Sequence, residues 1–271
     1  MLVSNRKRQR WKRMETETIK SKEMNLERVT ITGIDDKVSH EEIIKISQQY
    51  PFIEWGILFS PSRTGQSRYP TLGWVYELKK KADALQTKIK FSAHLCGDYT
   101  KELLETGDNP LIQRNDEFLK VGEIFKRVQL NFNASKNTAC EAFYEFIKKY
   151  GGDKVNFIIQ FNNSNRDVCA EIMKREIPVH FLWDSSGGRG TDTGNDWSFP
   201  FIGYFTGYAG GLSPDNLKEK LDKFFEYKFF DMRSNADVWI DVESGVRTNN
   251  ELDLDKVVKF LEIASKYTDE A

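Results

Sequence analysis

From Arg28 onward the chain alternates between short apolar runs with strand character and longer stretches whose apolar residues recur at helical spacing. The predicted strands are 29–34, 53–59, 91–96, 127–132, 155–161, 179–183, 204–209 and 238–242. Eight strands that alternate with helical connections in about 245 residues favour an α/β fold, a single (β/α)8 TIM barrel, over a doubly wound sheet. The connection between strands 6 and 7 is rich in glycine and too short for a full helix, so we expect it to be irregular.

Alternation within the strands predicts which side chains face the inside of the barrel. In the third strand Phe91, Ala93 and Leu95 alternate with polar residues, and the apolar set should pack against the outer helices. The side chains expected inside are those of Thr32, Glu54, His94, Cys96, Gln129, Asn131, Gln160, Asp184 and Glu243. Branched aliphatic residues fill an ordinary barrel interior, so this polar set indicates a binding or catalytic pocket. A structural hydrogen-bond network without a ligand is the alternative.

Two loops late in the chain have the composition of an anion site. Gly210 and Gly211 end the seventh strand, and Ser213 and Pro214 suit a helix cap and first turn. The eighth strand ends in Ser244-Gly245. Because free backbone N–H groups at strand ends and helix starts bind anions, the pair predicts a phosphate site at the barrel rim. The alternative is two ordinary strand-to-helix turns.

The overall composition excludes few function classes, and its one unusual feature is a basic cluster at the start of the chain. The net charge of the 271 residues is −1, which gives no general attraction to nucleic acid or membrane. Cys96, Cys140 and Cys169 lack metal-ligand spacing and are typical of free thiols in a reducing compartment, so we expect a cytoplasmic protein. Six basic residues lie within 6–13. We expect residues 1–24 to be a solvated basic tail, with nucleic-acid binding as the less favoured interpretation, and 25–271 to be the barrel domain.

Several segments together resemble phosphoribosylanthranilate isomerase. The most specific are 182–190 with Asp196-Trp197, 209–216 and 241–246, and residues 128–130 and 67–69 also fit. The likeness covers most of the chain from Arg28, and residues 55–60, 92–97 and 208–211 look closer still to a divergent bacterial offshoot of that family. The resemblance implies a phosphosugar-binding barrel that converts an aldose to a ketose by an Amadori rearrangement through general acid and base catalysis.

The resemblance also assigns roles to individual residues. It implies Asp184 as the general acid, Arg68 as a substrate-positioning arginine, and a phosphate cradle at the loop with Gly211 and the Ser244-Gly245 turn. From the residues themselves, we also expect the Gly-rich loop Gly187-Gly188-Arg189-Gly190 to close over a ligand, and Gln129 and Asn131 on the inward face of the fourth strand to contact it. No cofactor is implied, and the partner is a phosphorylated small molecule.

Three positions depart from the family pattern. Thr32 stands where the family has a cysteine base, and a hydroxyl is no general base near neutral pH. Asn131 replaces a histidine, and Glu243 replaces a small hydroxyl residue beside the phosphate loop. The Glu243 carboxylate would repel a phosphate unless an arginine offsets it, for which Arg189 and Arg247 are the candidates.

These departures leave three hypotheses. The first is an isomerase acting on a different phosphorylated or carboxylated sugar derivative, with Cys96 as base beside His94 on the same strand face. The second is a metal-dependent enzyme whose ligands are His94, Asp184 and Glu243 with Glu54 or Asp241. The third is a phosphometabolite-binding protein without catalysis. The substrate and the oligomeric state stay open.

Overall fold

A computed structural model describes residues 25–108, 124–136, 139–152, 155–184, 186–187, 190, 197, 200–228 and 237–269. Eight parallel strands pair in chain order and close into a barrel, as the alternating pattern predicted. The strands are β1 (Leu26–Thr32), β2 (Ile53–Phe59), β3 (Phe91–Leu95), β4 (Phe125–Leu130), β5 (Asn156–Phe161), β6 (His180–Asp184), β7 (Thr206–Ala209) and β8 (Val238–Val242). The predicted tail at 1–24 lies outside the described residues, so the domain boundary stays a prediction.

Seven α-helices within the described ranges cover the barrel. They are α1 (His40–Gln49), α2 (Leu72–Ala84), α3 (Asp98–Thr106), α4 (Glu141–Tyr150), α5 (Arg166–Lys174), α6 (Leu217–Lys228) and α7 (Leu254–Ala264). The described residues between β6 and β7 include no helix, in agreement with the irregular connection expected there. Of the helices that the structure describes, none combines the length and apolarity of a membrane span.

Element boundaries differ from the sequence prediction by a few residues. The strand β4 ends at Leu130, although Asn131 N still donates to Leu95 O at 2.9 Å, so the neighbouring strands stay in register beyond it. The helix after β7 begins at Leu217 and not at Pro214, because 214–216 form a turn. Leu217 N donates to Ser213 O at 3.0 Å, which makes this turn the entrance to the helix.

The apolar core lies between the strands and the helices, while the barrel interior is mixed. Phe91, Ala93 and Leu95 are buried in the outer core, as alternation predicted. Inside, Trp239 packs with Ile158 and Leu182. A Cβ at Gly207 would lie 2.1 Å from the Trp239 ring, so only glycine on β7 leaves room for this indole.

Charged residues fill the end of the barrel interior away from the strands' carboxyl ends. Arg127 Nη1 donates to Glu54 Oε1 at 2.6 Å, and the two side chains are 2% and 1% exposed. Arg28 donates to Glu54 Oε2 at 3.0 Å, and Thr30 Oγ1 donates to Oε1 at 2.9 Å. The Arg127 guanidinium also stacks 4.1 Å from the Trp239 ring centroid. Burial raises the pKa of Glu54, but Arg127 and Arg28 outweigh it, so the pKa lies below its ordinary value.

The substitution Arg127→Met should destabilise the fold by about 3–5 kcal/mol, because it leaves the Glu54 carboxylate buried without its closest partner. Urea denaturation at neutral pH measures the change in the free energy of unfolding. Lys126→Met is the control, since Lys126 is the exposed neighbour on the same strand. Equal urea midpoints for the two variants would show that the pair does not matter for stability.

Candidate functional site at the carboxyl end of the barrel

A pocket of about 790 Å³ opens at the carboxyl ends of the strands. Eight of the side chains expected inside the barrel line it: Thr32, His94, Cys96, Gln129, Asn131, Gln160, Asp184 and Glu243. Glu54, the ninth, is inside the barrel but does not line the pocket, because it is engaged with Arg127. The pocket is large enough for a phosphorylated sugar derivative.

The loop after β7 forms one wall of the pocket. Gly210 and Gly211 have φ values of 105° and 66°, which favour glycine. Asn216 holds this loop, since its Nδ2 donates to Gly211 O at 2.8 Å and its Oδ1 accepts from Ser213 N at 2.9 Å. The loop is therefore fixed by its own sequence, independently of a ligand.

The turn Ser244–Val246 after β8 packs directly against that loop. A Cβ at Gly245 would lie 1.8 Å from Leu212 O, so the contact requires glycine. A Cβ at Gly190 would lie 2.6 Å from Ser244 Oγ. Gly190, in the loop after β6, therefore lies directly against the turn after β8. Among the described residues no acceptor takes up the backbone N–H groups of Gly211, Ser244 and Gly245. Backbone N–H groups on two loops that pack against each other at the pocket suit an anion, and we name 210–212 with 244–245 the cradle.

Arg68 pairs with Glu243 beside the cradle. Its Nη1 donates to Glu243 Oε1, while Nη2 and Nε donate to Asn250 Oδ1 at 2.6 and 3.1 Å. The Arg68 backbone has a φ of 74° and is held by a hydrogen bond from its N–H to Asp35 Oδ2 at 2.9 Å. A non-glycine residue in this left-handed region persists only when its surroundings fix it. Arg68 is thus rigidly placed at the pocket wall.

This pair corrects the expected partner of Glu243. Arg247 Nη1 instead donates to Gly33 O at 2.6 Å, and its Nη2 donates to Asn250 O at 2.8 Å. These bonds tie the turn after β8 to the loop after β1. The other candidate, Arg189, lies outside the described residues together with Gly188.

Asp184 stands at the end of β6 and is 3% exposed. Its Oδ1 accepts hydrogen bonds from the N–H and the hydroxyl of Ser186, at 3.0 and 2.6 Å. Gly187 N donates to Asp184 O at 3.0 Å, and Gly187 also lines the pocket. The start of the Gly-rich loop therefore positions the Asp184 carboxyl.

The surroundings of Cys96 and His94 oppose the predicted thiol–imidazole pair. Cys96 Sγ donates to the His94 backbone oxygen at 3.7 Å and accepts from Asn131 Nδ2 at 3.2 Å, while His94 Nε2 lies 3.1 Å from Ser92 Oγ. Burial raises the pKa of the Cys96 thiol to about 11 and lowers the pKa of His94 to about 3. At neutral pH both groups are therefore uncharged, and the thiol is a poor base.

Gln129 and Asn131 continue this hydrogen-bond chain across β4. Gln129 Nε2 donates to Asn131 Oδ1 at 2.8 Å, and Asn131 passes the chain to Cys96. Where the family resemblance leads one to expect a histidine, Asn131 thus acts as a bridge between two pocket residues. The residues of β3 and β4 that line the pocket, with Cys96 and Asn131 directly after them, are therefore polar but uncharged.

Sequence reasoning considered Asp241 only as a metal ligand, yet it is a prominent residue of the pocket. Asp241 lies two positions before Glu243, and alternation along β8 predicts a shared inward face. Thr32 Oγ1 donates to Asp241 Oδ1 at 2.7 Å. Burial raises the pKa of Asp241 to about 8, the charges of Glu243, Asp184 and Glu54 add to this, and the Thr32 hydrogen bond opposes it.

The metal hypothesis finds no ligand set in the described part of the chain. No group of three His, Cys, Asp or Glu side chains there is arranged to hold a metal ion. Glu54 is taken up by Arg127 and Glu243 by Arg68.

Comparison with known proteins finds similarity to phosphoribosylanthranilate isomerases over part of the chain. The family model for N-(5'-phosphoribosyl)anthranilate (PRA) isomerase matches residues 141–263. The curated N-(5'-phosphoribosyl)anthranilate isomerase of Streptococcus mutans is 38% identical over 58 residues, which are 21% of this chain and 24% of that protein. The match thus spans about a quarter of the curated relative's length. Both matches fall short of the whole chain, so activity and substrate do not follow from them.

Solved structures agree in fold. Phosphoribosylanthranilate isomerases from Thermus thermophilus and Thermotoga maritima superpose with TM-scores of 0.55 and 0.52 at 17% and 19% identity. Each comparison covers 88% of this chain and 98% of the other. A further isomerase structure, with a TM-score of 0.51, holds reduced 1-(o-carboxyphenylamino)-1-deoxyribulose 5-phosphate. The chain is thus a (β/α)8 barrel, and it is similar to phosphoribosylanthranilate isomerases in fold and over part of its sequence, as the sequence resemblance predicted.

The substitution Gly245→Ala should lower the melting temperature by several degrees, because the new Cβ meets the Leu212 carbonyl and the two cradle loops must separate. Gly73→Ala is the matched control. A Cβ at Gly73 meets no atom within 4 Å, and alanine favours helix α2 by about 1 kcal/mol. Thermal unfolding of both variants measures the effect, and an unchanged melting temperature for Gly245→Ala would contradict the close packing of the loops.

Proposed function

We propose that this barrel is an aldose–ketose isomerase that carries out an Amadori-type rearrangement on a phosphorylated sugar derivative. The observation that carries the proposal is the cradle of backbone N–H groups at one rim of a pocket whose interior holds Asp184 and Asp241. A cradle anchors the phosphate, and carboxyl groups within the same pocket move protons at the sugar. The amine part of the substrate is left open.

Phosphate anchoring is supported by the way the rim balances charge. Glu243 directly precedes the cradle residue Ser244, and its carboxylate would repel a phosphate if it were unpaired. The ion pair with Arg68 offsets that charge. The second guanidinium nitrogen of Arg68 and its Nε are held by Asn250, so the arginine stays next to the cradle before a ligand arrives.

The chemistry needs one proton donor and one proton acceptor. The donor protonates the ring oxygen of the N-glycoside while the nitrogen lone pair forms the C=N bond, which opens the ring. The acceptor then removes the proton from the carbon next to the imine carbon. We assign the donor role to Asp184, whose carboxyl is positioned by the two hydrogen bonds from Ser186.

A phosphometabolite-binding protein without catalysis is the second candidate. Two observations favour it: the hydroxyl of Thr32 cannot serve as a base, and the Cys96 thiol has a pKa of about 11. Binding of phosphorylated ligands without any turnover would decide for this candidate.

Gly211→Asp should abolish stabilisation by phosphate-bearing ligands, because it places a carboxylate inside the cradle. The φ of 66° at this position is one that Asp tolerates, so the unliganded fold should persist. Thermal shifts are measured with inorganic phosphate, ribose 5-phosphate and ribulose 5-phosphate, and with ribose as the ligand that lacks phosphate. Asn249→Asp adds the same charge at a φ of 51° outside the pocket and should respond as the parent does. A Gly211→Asp variant that still responds would place the phosphate elsewhere.

Asp184→Asn should reduce turnover by about two to four powers of ten, because a positioned acid is removed, and should keep the thermal shift with ribose 5-phosphate. The substrates tested are glycosylamines formed from ribose 5-phosphate and a panel of primary amines, anthranilate among them. The amino ketose product is followed by NMR. Asp83→Asn, whose side chain is 59% exposed on α2, is the control. Turnover of Asp184→Asn equal to that of the control would remove Asp184 from the mechanism.

A further inference from the structure

The proposed rearrangement requires a base, and most groups in the pocket are unsuited to that role. The Thr32 hydroxyl is too weakly basic, the Cys96 thiol is protonated at neutral pH, and His94 is buried and hydrogen-bonded to Ser92. Glu243 is engaged with Arg68. Asp184 has the donor role.

Asp241 has the position that a base needs. Asp241 lines the pocket and is 8% exposed. Strands β1 and β8 are paired, with Thr30 opposite Asp241 and Ile31 opposite Val242, so Thr32 lies within reach of Asp241 on the same inward face. Its bond from the Thr32 hydroxyl fixes Oδ1. No arginine or lysine among the described residues forms an ion pair with it. We infer that Asp241, oriented by Thr32, is the proton acceptor of this pocket; the inference rests on the proposed isomerase function.

The charged groups around Asp241 give it unusual basicity. Burial is the largest cause that raises the pKa of Asp241 to about 8. The charges of Glu243 after β8, Asp184 on β6 and Glu54 on β2 raise it further. Arg127 on β4 also interacts with Asp241, from the barrel floor, the end of the interior away from the strands' carboxyl ends. This value approaches the pKa of about 8.5 of an ordinary cysteine thiol. A carboxylate in this setting is a stronger base than an exposed one and still ionises near neutral pH.

The step balances with Asp241 alone as the acceptor. Its carboxylate takes the proton from the carbon next to the imine carbon, and the C–H electron pair forms the C=C bond. The C=N π electrons move to the positively charged nitrogen of the protonated imine that ring opening leaves, and a neutral enaminol results. Loss of the hydroxyl proton and protonation of the former imine carbon then yield the amino ketose, and no oxidant or reductant is needed.

The pH dependence of turnover tests the role. Because Asp241 must be ionised and Asp184 protonated in the reacting form, kcat/KM of the parent should follow a bell-shaped pH profile, with the limb near pH 8 set by Asp241. Asp241→Asn should lose at least a hundredfold in kcat/KM together with this limb. Thr32→Ala should keep the limb but shift it upward, since the hydroxyl that stabilises the carboxylate is gone. Glu243→Gln should keep the limb and shift it downward.

The double variant Asp241→Asn with Thr32→Cys separates a lost base from a damaged pocket. A thiol at position 32 stands where the Thr32 hydroxyl met Asp241 and should restore part of the turnover. Asp83→Asn should follow the parent at every pH. An Asp241→Asn variant that keeps the parent's turnover or its pH limb would overturn the inference.

Stability measurements test Asp241 without any substrate. Its folded pKa exceeds the unfolded value, so the folded state binds more protons between about pH 4 and about pH 8, and the parent should lose stability as pH rises through that window. Asp241→Asn should lack this loss, and its melting temperature relative to the parent should increase toward pH 8. A constant difference across the window means that Asp241 ionises normally, and the inference fails. If the difference grows but no glycosylamine turns over, the proposed function fails while the proton-binding property of Asp241 stands.

Discussion

Charge compensation inside a closed barrel is the constraint on which this structure depends. In the part of the chain that the structure describes, four carboxyl groups face the interior or its rim: Glu54, Asp184, Asp241 and Glu243. Arginines take up two of them, with Arg127 and Arg28 on Glu54 and Arg68 on Glu243. A buried charge without a partner is costly, and a group in that position keeps its proton instead. The partner of Asp241 is a hydroxyl and not a cation, so burial disfavours its ionised form and its pKa is raised.

The two arginine pairs also divide the interior by role. The pair at the floor is fully buried and leaves no room for a ligand, so its contribution is to hold the strands around a polar centre. The pair at the rim is about one-third exposed, with side-chain exposures of 28% and 32%, and it borders the cradle. If the cradle holds a phosphate as proposed, that phosphate would compete with Glu243 for Arg68, and its binding would be coupled to the charge state of the pocket.

The sequence predicted the barrel and the polar interior well, because both follow from local periodicity. Alternation along β3 and β4 gives the inward faces directly, and Gly210-Gly211 and Ser244-Gly245 mark strand ends by their composition. The pair between Arg68 and Glu243 was not predictable in this way. It joins residues 175 positions apart, and it depends on how the loop after β2 folds over the rim.

The pKa values of Cys96 and Asp241 could not be predicted from the sequence for a different reason. A residue type and its face are local properties, whereas a pKa depends on how many neighbours exclude water and which charges they carry. Cys96 was favoured as base because it is a thiol on an inward face, yet burial removes the basicity that made it attractive. Asp241 shares the face of Glu243 and was accessible to the same alternation rule, but nothing in the sequence distinguishes a carboxyl that keeps its proton.

Closure of the barrel explains how a hydroxyl at position 32 is compatible with acid–base chemistry. Strand β1, which carries Thr32, is hydrogen-bonded to β8 where the barrel closes, so residue 32 and Asp241 meet although 209 positions separate them. A hydroxyl there cannot accept a proton itself, but it donates to a carboxyl oxygen, and that bond favours the ionised form of Asp241. Under the inferred role of Asp241, the basic atom lies one hydrogen bond from the side chain at position 32, on the adjoining strand β8. Asp184 and Gly210-Gly211 lie at the ends of β6 and β7, and neither strand pairs with β1, so they do not depend on the residue at position 32 through strand pairing.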